Sequence, residues 1–179
     1  MPLAAETPLP TSEISGGGEI AGHTWSAYST TVVTLSALGI GVPSSIREDG
    51  WRLRAGAGYW RYERRQEEWL PNVGPRQVTR KRTGSFADLL LGYQASLGAL
   101  TLKAYAGGIY ERQEWSAEER DLWGANTDLS AKVLVESWYN LTPESFAQLD
   151  IGWVSEGNTV TARARLGYRV TPTLSVGPE

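Results

Sequence analysis

The chain has 179 residues, of which 41% are hydrophobic and 21% charged, and its formal net charge is −3. This length fits one domain, and the composition excludes an intrinsically disordered chain and argues against a nucleic-acid-binding protein, which would carry a basic excess. Cysteine is absent and His23 is the single histidine, so disulfides, thiolate metal sites and histidine clusters are excluded. We therefore expect no cofactor, no metal site and no nucleic-acid partner.

The first 18 residues are polar, contain proline, glycine and serine, and lack the basic and apolar regions of a secretory signal. We predict a flexible N-terminal leader over residues 1–18 and one β-barrel domain over residues 19–179. The sequence contains no run of about 18 consecutive apolar residues, which a membrane-spanning helix would require.

The rest of the chain alternates between apolar and polar residues, which is typical of β-strands. A charge-free segment rich in β-branched and aromatic residues predicts a strand near 24–37, and alternation predicts another over 50–64. Residues 86–111 predict a hairpin with a tight turn at 97–98. Further strands are predicted over 128–139, 146–154 and 160–170, and one more opens at Leu174.

The predicted connections alternate between short and long. Short ones lie at 96–99, 140–145 and 171–173, whereas long, polar ones are predicted at 65–85 and 112–127. This alternation is typical of outer-membrane barrels, which have short periplasmic turns and long external loops. The sequence therefore predicts an all-β protein, an antiparallel up-and-down membrane β-barrel with about eight strands present.

The two faces of the predicted strands differ in charge. One face is free of charge and rich in alanine, which would leave the interior of a small soluble barrel underfilled but is tolerated against lipid. We therefore expect this face to contact outer-membrane lipid, with these side chains pointing outward: Leu89, Leu102, Val133, Leu149 and Leu166. The opposite face carries charges of both signs, which predict a network filling the lumen: Arg52, Arg54, Asp88, Lys103, Lys132, Glu136, Asp150, Arg163, Arg165 and Arg169.

Aromatic residues fall towards the predicted strand ends, where they suit the girdles that flank the apolar band of a membrane barrel. The girdle residues predicted in this way are Trp51, Trp60, Tyr110, Trp138, Tyr139, Trp153 and Tyr168. The alternative architecture is a soluble, calycin-like ligand-binding barrel with the apolar face inside.

Three stretches resemble BcsS-type cellulose biosynthesis proteins, in order and at similar spacing: GWRLRAGAGYWRYE (50–63), FADLLLGYQASLGALTLKAYAGGIYE (86–111) and ARLGYRVTPTLSVGPE (164–179). The resemblance implies an outer-membrane β-barrel with a non-catalytic, accessory role in cellulose synthesis, export or surface retention. It implies cellulose or other cellulose-synthesis components as partners. Members of the family usually continue past the GPE segment, so the resemblance also implies a barrel truncated at its C-terminus and incomplete.

Aromatic residues on the side predicted to carry the long loops stand among arginine and glutamate residues. Such rings can stack against sugars while the polar neighbours bind hydroxyl groups, which predicts a glucan-stacking surface formed by Trp60, Tyr62, Trp69, Trp115 and Trp123. The alternative is that these rings anchor the loops at the level of the lipid headgroups.

Candidate catalytic groups are few. His23 lies near Ser26, but this spacing matches no signature of nucleophilic catalysis. Glu118 and Glu119 could offer paired carboxylates, but adjacent acidic residues on a charged loop are typical of solvation. We predict that the protein is not an enzyme, and an outer-membrane hydrolase is the alternative.

Overall fold

The computed structural model describes residues 10–42, 44–70, 74–115, 126–171 and 174–178. Within these residues the chain forms nine strands: β1 (Ser12–Ala21), β2 (Thr24–Thr34), β3 (Gly50–Leu70), β4 (Gly74–Leu97), β5 (Leu100–Trp115), β6 (Asn126–Asn140), β7 (Ser145–Val154), β8 (Thr159–Thr171) and β9 (Leu174–Val176). Two short 3-10 turns cover Leu35–Leu38 and Glu156–Asn158. No described helix is long and apolar enough to cross a membrane.

Every strand pairs antiparallel with its neighbour in the chain, so the sheet order is β1 to β9 without a crossover. The sheet curls into a half-barrel. The prediction of an all-β, antiparallel up-and-down and incomplete barrel is confirmed, with nine strands in place of about eight. The strands predicted from alternation are all present.

The first strand was missed from the sequence. β1 begins at Ser12, inside the segment predicted as a flexible leader, and pairs with β2 from Ser12 opposite Val33 to Ala21 opposite Thr24. Gly16, Gly17 and Gly18 lie at its centre and have no side chains, so the strand shows no alternation. The domain boundary predicted at residue 19 falls within β1.

The long connection predicted over 65–85 is also wrong. β3 and β4 continue as a paired ribbon to Leu70 and Gly74, which lie opposite each other. Charged residues are consecutive in the sequence of this ribbon, as at Arg64 and Arg65 or Glu67 and Glu68, so its sequence shows no alternation, although backbone pairing does not depend on it. In the second predicted loop, 112–127, β5 extends to Trp115 and β6 begins at Asn126, and residues 116–125 lie outside the described residues.

Because the strands run up and down, their connections collect at two ends. The cap end carries the segment 35–49 and the turns at 98–99 and 141–144, and the ribbon end carries the β1–β2 turn and the β3–β4 ribbon. The concave face of the half-barrel encloses a space that we call the lumen.

Charged side chains line the lumen together with a small buried cluster of Leu90, Tyr105 and Leu134, whereas many large apolar side chains are exposed on the outside. Of the five aliphatic residues predicted to point outward, four are exposed and Leu102 is half-buried. Leu89 is 58% exposed and Leu166 is 56% exposed. Asp88, by contrast, is only 5% exposed on the concave face.

Two bands of exposed aromatic rings flank the outward apolar face. Trp51, Tyr93, Tyr139 and Tyr168 lie towards the cap end, and Trp25, Tyr59, Tyr110 and Trp153 lie towards the ribbon end. Each band contains a ring pair: the centroids of Trp51 and Tyr93 are 5.5 Å apart, and those of Trp25 and Tyr59 are 5.3 Å apart.

Aromatic rings also pack on the concave face, each over a glycine directly opposite on the neighbouring strand. The pairs are Trp60 with Gly84, Phe86 with Gly58, Tyr105 with Gly92 and Phe146 with Gly167. A Cβ atom at any of these glycines would collide with the ring. The absence of a Cβ atom at these glycines therefore leaves space for the large rings on the concave face of the sheet.

Candidate functional site

The lumen contains a polar cavity of about 810 Å³, lined by β1–β3 on one side and by β5–β8 on the other. A second cavity of about 400 Å³ is contiguous with it, because both are lined by Tyr28, Glu136 and Asp150. The first volume lies within the range of about 300–1,000 Å³ that is usual for ligand pockets.

A buried ion cluster lies against the wall of this lumen. Arg54 Nη1 lies 2.9 Å from Asp88 Oδ1, and Lys132 Nζ pairs with the other carboxylate oxygen. Arg54 also donates to Thr30 Oγ1 at 3.3 Å, and its Nε lies 3.8 Å from a carboxylate oxygen of Glu136. Four of the ten residues predicted as a lumen network are thus joined by ion pairs.

A transverse row of four charged residues, which shares Glu136 with the ion cluster, crosses neighbouring strands. In the sheet register Lys103 is opposite Glu136, Glu136 is opposite Asp150, and Asp150 is opposite Arg163. Gln148 donates to both carboxylate oxygens of Asp150 at 2.9 Å. Directly opposite residues point to the same face, so this row presents two cations and two carboxylates to the cavity.

The two sides of the lumen meet through Tyr28. Its hydroxyl accepts hydrogen bonds from Arg163 at 3.1 Å and from Arg165 at 3.4 Å. Lys103 Nζ lies 3.8 Å from a carboxylate oxygen of Glu13 on β1. Side chains from β1 and β2 therefore contact those of β5 and β8 across the half-barrel.

An aromatic stack lies in the lumen towards the cap end. The rings of Trp138 and Phe146 are 3.8 Å apart between centroids, with an interplanar angle of 17°. Trp138 Nε1 donates to Asn140 Oδ1 at 3.1 Å. Arg169, which also belongs to the predicted network, donates to Pro143 O at 2.7 Å and to Asn140 Oδ1 at 2.6 Å.

Two predicted girdle residues face the lumen instead. Trp138 lines the first cavity and Trp60 lines the second. Both residues were assigned to the girdle because they lie near a strand end, but the alternation of side chains along a strand decides which face they occupy. On β6, Trp138 is an even number of residues from Lys132 and Glu136 and therefore shares their face. That parity was the signal that could have placed Trp138 in the site.

Arg52 helps to close the cap end. Its side chain is wholly buried and donates to the carbonyls of Trp51 at 3.0 Å, Ser45 at 3.0 Å and Glu48. Gln94 Nε2 donates to the same Glu48 carbonyl at 3.1 Å. The sequence placed Arg52 in a network of charged side chains, whereas the structure uses it to hold the backbone of the connection 35–49.

The predicted glucan-stacking surface on the long loops is described only in part. Trp60 lies on β3 and faces the lumen, and Tyr62 lies nearby on β3, opposite Thr24, and is exposed. The side chains of Trp69 and Trp115, and the whole of Trp123, lie outside the described residues.

The predicted catalytic candidates do not form one site. His23 is exposed in the β1–β2 turn, whereas Ser26 lines the lumen. Glu118 and Glu119 lie outside the described residues. In the part of the chain that the structure describes, no group of three or more histidine or acidic side chains is placed to hold a metal ion.

In a comparison with protein families, residues 15–179 match the model described as "Cellulose biosynthesis protein BcsS". The chain belongs to this family. The matched region contains β2–β9 and most of β1, so it includes the lumen and both aromatic bands. The resemblance stated from the sequence is confirmed, and the family implies a role in cellulose biosynthesis. No curated protein and no solved structure matched the chain.

Proposed function

We propose that the protein is a non-catalytic outer-membrane component that supports cellulose synthesis, export or retention at the cell surface. The observation that supports the outer-membrane location is that the sheet buries charged side chains in the lumen and exposes apolar side chains on its outer face. Buried charges such as Asp88 face the lumen, whereas large apolar side chains such as Leu89 are exposed on the outside. Lipid is the solvent in which such a face is favourable.

The spacing of the two aromatic bands supports the same location. Trp51 and Tyr59 both point outward from β3 and are eight residues apart. At about 3.4 Å per residue this distance is about 27 Å along the strand, which spans about 19–22 Å along the bilayer normal at a strand tilt of about 35–45°. The apolar band of an outer-membrane barrel is about 25 Å tall and is flanked by aromatic girdles.

The experiment is fractionation followed by complementation. We expect the protein in the outer-membrane fraction and, in a strain that lacks it, less cellulose at the cell surface or mislocalised cellulose. A His23→Ala variant should restore the wild-type amount, since the proposed role needs no general base. Recovery in a soluble fraction, or unchanged cellulose in the deletion strain, would contradict the proposal.

A hydrolase is the second candidate, and one observation favours it. Glu136 and Asp150 are directly opposite on the lumen face, where Cβ atoms are about 4.5–5.5 Å apart. Glycoside hydrolases place two carboxyl groups about 5–10 Å apart. Incubating the purified protein with cellohexaose distinguishes the two candidates, because the accessory role leaves the hexaose intact and the hydrolase shortens it.

A further inference from the structure

We propose that the lumen binds a neutral glucan chain, with the indole ring of Trp138 as its stacking surface. This inference rests on the proposed function, to which it adds a ligand class and a site. The site is the cavity of about 810 Å³, not the long-loop side on which the sequence placed a glucan-binding surface.

The first argument is that Trp138 is a half-buried ring that lines the cavity. Phe146 covers one side of the indole at 3.8 Å and is itself buried. The guanidinium carbon of Arg169 lies 5.7 Å from the Trp138 centroid and 5.3 Å from that of Phe146. Because these distances are nearly equal, Arg169 lies beside the stack and does not cover the second face of Trp138.

The hydrogen bond from Trp138 Nε1 to Asn140 fixes the orientation of the ring. The indole is therefore ordered before a ligand arrives, which lowers the entropic cost of binding. A flat aromatic ring suits the apolar face of a sugar, whose C–H groups pack against the ring while its hydroxyl groups point outward.

The second argument is the supply of hydrogen-bonding groups around that ring. Gln148 is directly opposite Trp138 in the register, and Arg165 follows on the next strand. Glu136 and Asp150 lie in the adjacent transverse row, and all four side chains line the cavity. Carboxylate, amide and guanidinium groups together accept from and donate to hydroxyls, which fixes the orientation of a sugar.

The third argument is charge. Among the described residues, four acidic and four basic side chains line the cavity. A cavity with balanced charges has no net field that would concentrate a polyanion or a polycation. The balance therefore favours a neutral, polyhydroxylated ligand.

The contiguous second cavity extends the site beyond one sugar. Trp60 lines it and packs over Gly84 on the adjacent strand. A glucan chain that stacks on Trp138 can continue past Glu136 and Asp150 towards Trp60, because these two carboxylates line both cavities.

The test is a titration of the purified full chain, in the detergent or bilayer in which it is folded, with cellohexaose by calorimetry. Trp138→Leu is compared with Trp51→Leu, a matched change at an exposed, outward-facing indole. We expect binding by the parent protein, a loss of about tenfold in Trp138→Leu, equivalent to about 1.4 kcal/mol, and an unchanged affinity in Trp51→Leu.

A Gln148→Ala variant provides the test if Trp138→Leu does not fold, as judged by heat modifiability, and it should bind several-fold more weakly. No binding by the parent protein, equal losses in Trp138→Leu and Trp51→Leu, or tighter binding of a sulfated oligosaccharide of equal length would overturn the inference. The proposed function fails separately, by fractionation or by unchanged surface cellulose, so the two failures are distinguishable.

Discussion

Replacing Asp88 by asparagine tests the ion cluster in the lumen wall. The Asp88 carboxylate is almost completely buried and pairs with both Arg54 and Lys132, so the neutral amide leaves two cations without their counter-charge. Removing one partner of a buried ion pair typically costs about 3–5 kcal/mol. Arg54 retains Thr30 and, at 3.8 Å, Glu136, which places the expected loss at the lower end, about 3 kcal/mol.

The assay is reversible denaturant unfolding of the protein in lipid vesicles, with Glu156→Gln as the control. Glu156 lies in the exposed β7–β8 turn, where a charge change should alter the free energy of unfolding by less than about 0.5 kcal/mol. If Asp88→Asn changes stability no more than Glu156→Gln does, the cluster contributes nothing measurable and the reasoning from its burial is wrong.

Two further substitutions test packing and the cap end. Gly92→Ala should destabilise the protein by about 1–3 kcal/mol, because the new methyl group meets Tyr105 and the Ala104 carbonyl. The control Gly108→Ala should be nearly neutral, because its Cβ meets only contacts of 3.9 Å or more, and equal shifts of the melting temperature in the two variants would contradict the argument. Arg52→Met should remove one donor from each of the Ser45 and Glu48 carbonyls, which then retain only the Glu48 N–H and Gln94 Nε2 respectively. Hydrogen exchange over residues 44–49 should therefore rise, and unchanged exchange there would show that Arg52 does not hold the connection.

The alternation of apolar and polar residues predicted the strands, because one face of each strand is free of charge. The same alternation predicted which residues share a face. Alternation is strong in segments such as 86–111, where leucine and alanine face charged and small residues. It is absent from β1, where three glycines carry no side chain, and from the β3–β4 ribbon, where charged residues are consecutive in the sequence. The pattern therefore reports side-chain environment, and it misses strands that are held mainly by backbone pairing.

The site was predictable only in part, because the period gives the face of a residue and not its partner. The lumen residues Arg54, Asp88 and Lys132 were recognised as a charged set. That Asp88 pairs with both cations follows from the register of the four strands β3–β6, which the sequence does not specify. Phe146 was assigned no role in the site, since nothing local shows that it lies under Trp138.

The outward face is the central claim, and Ala55→Arg tests it most directly. Ala55 is exposed on β3, midway between Trp51 and Tyr59, so the arginine should lie near the bilayer midplane and reduce the free energy of unfolding in lipid vesicles by about 2–4 kcal/mol. Thr161→Arg, which places the same side chain beside the lumen cavity, should cost clearly less, because no charge then enters the lipid. Equal losses in the two variants would contradict a lipid-facing sheet.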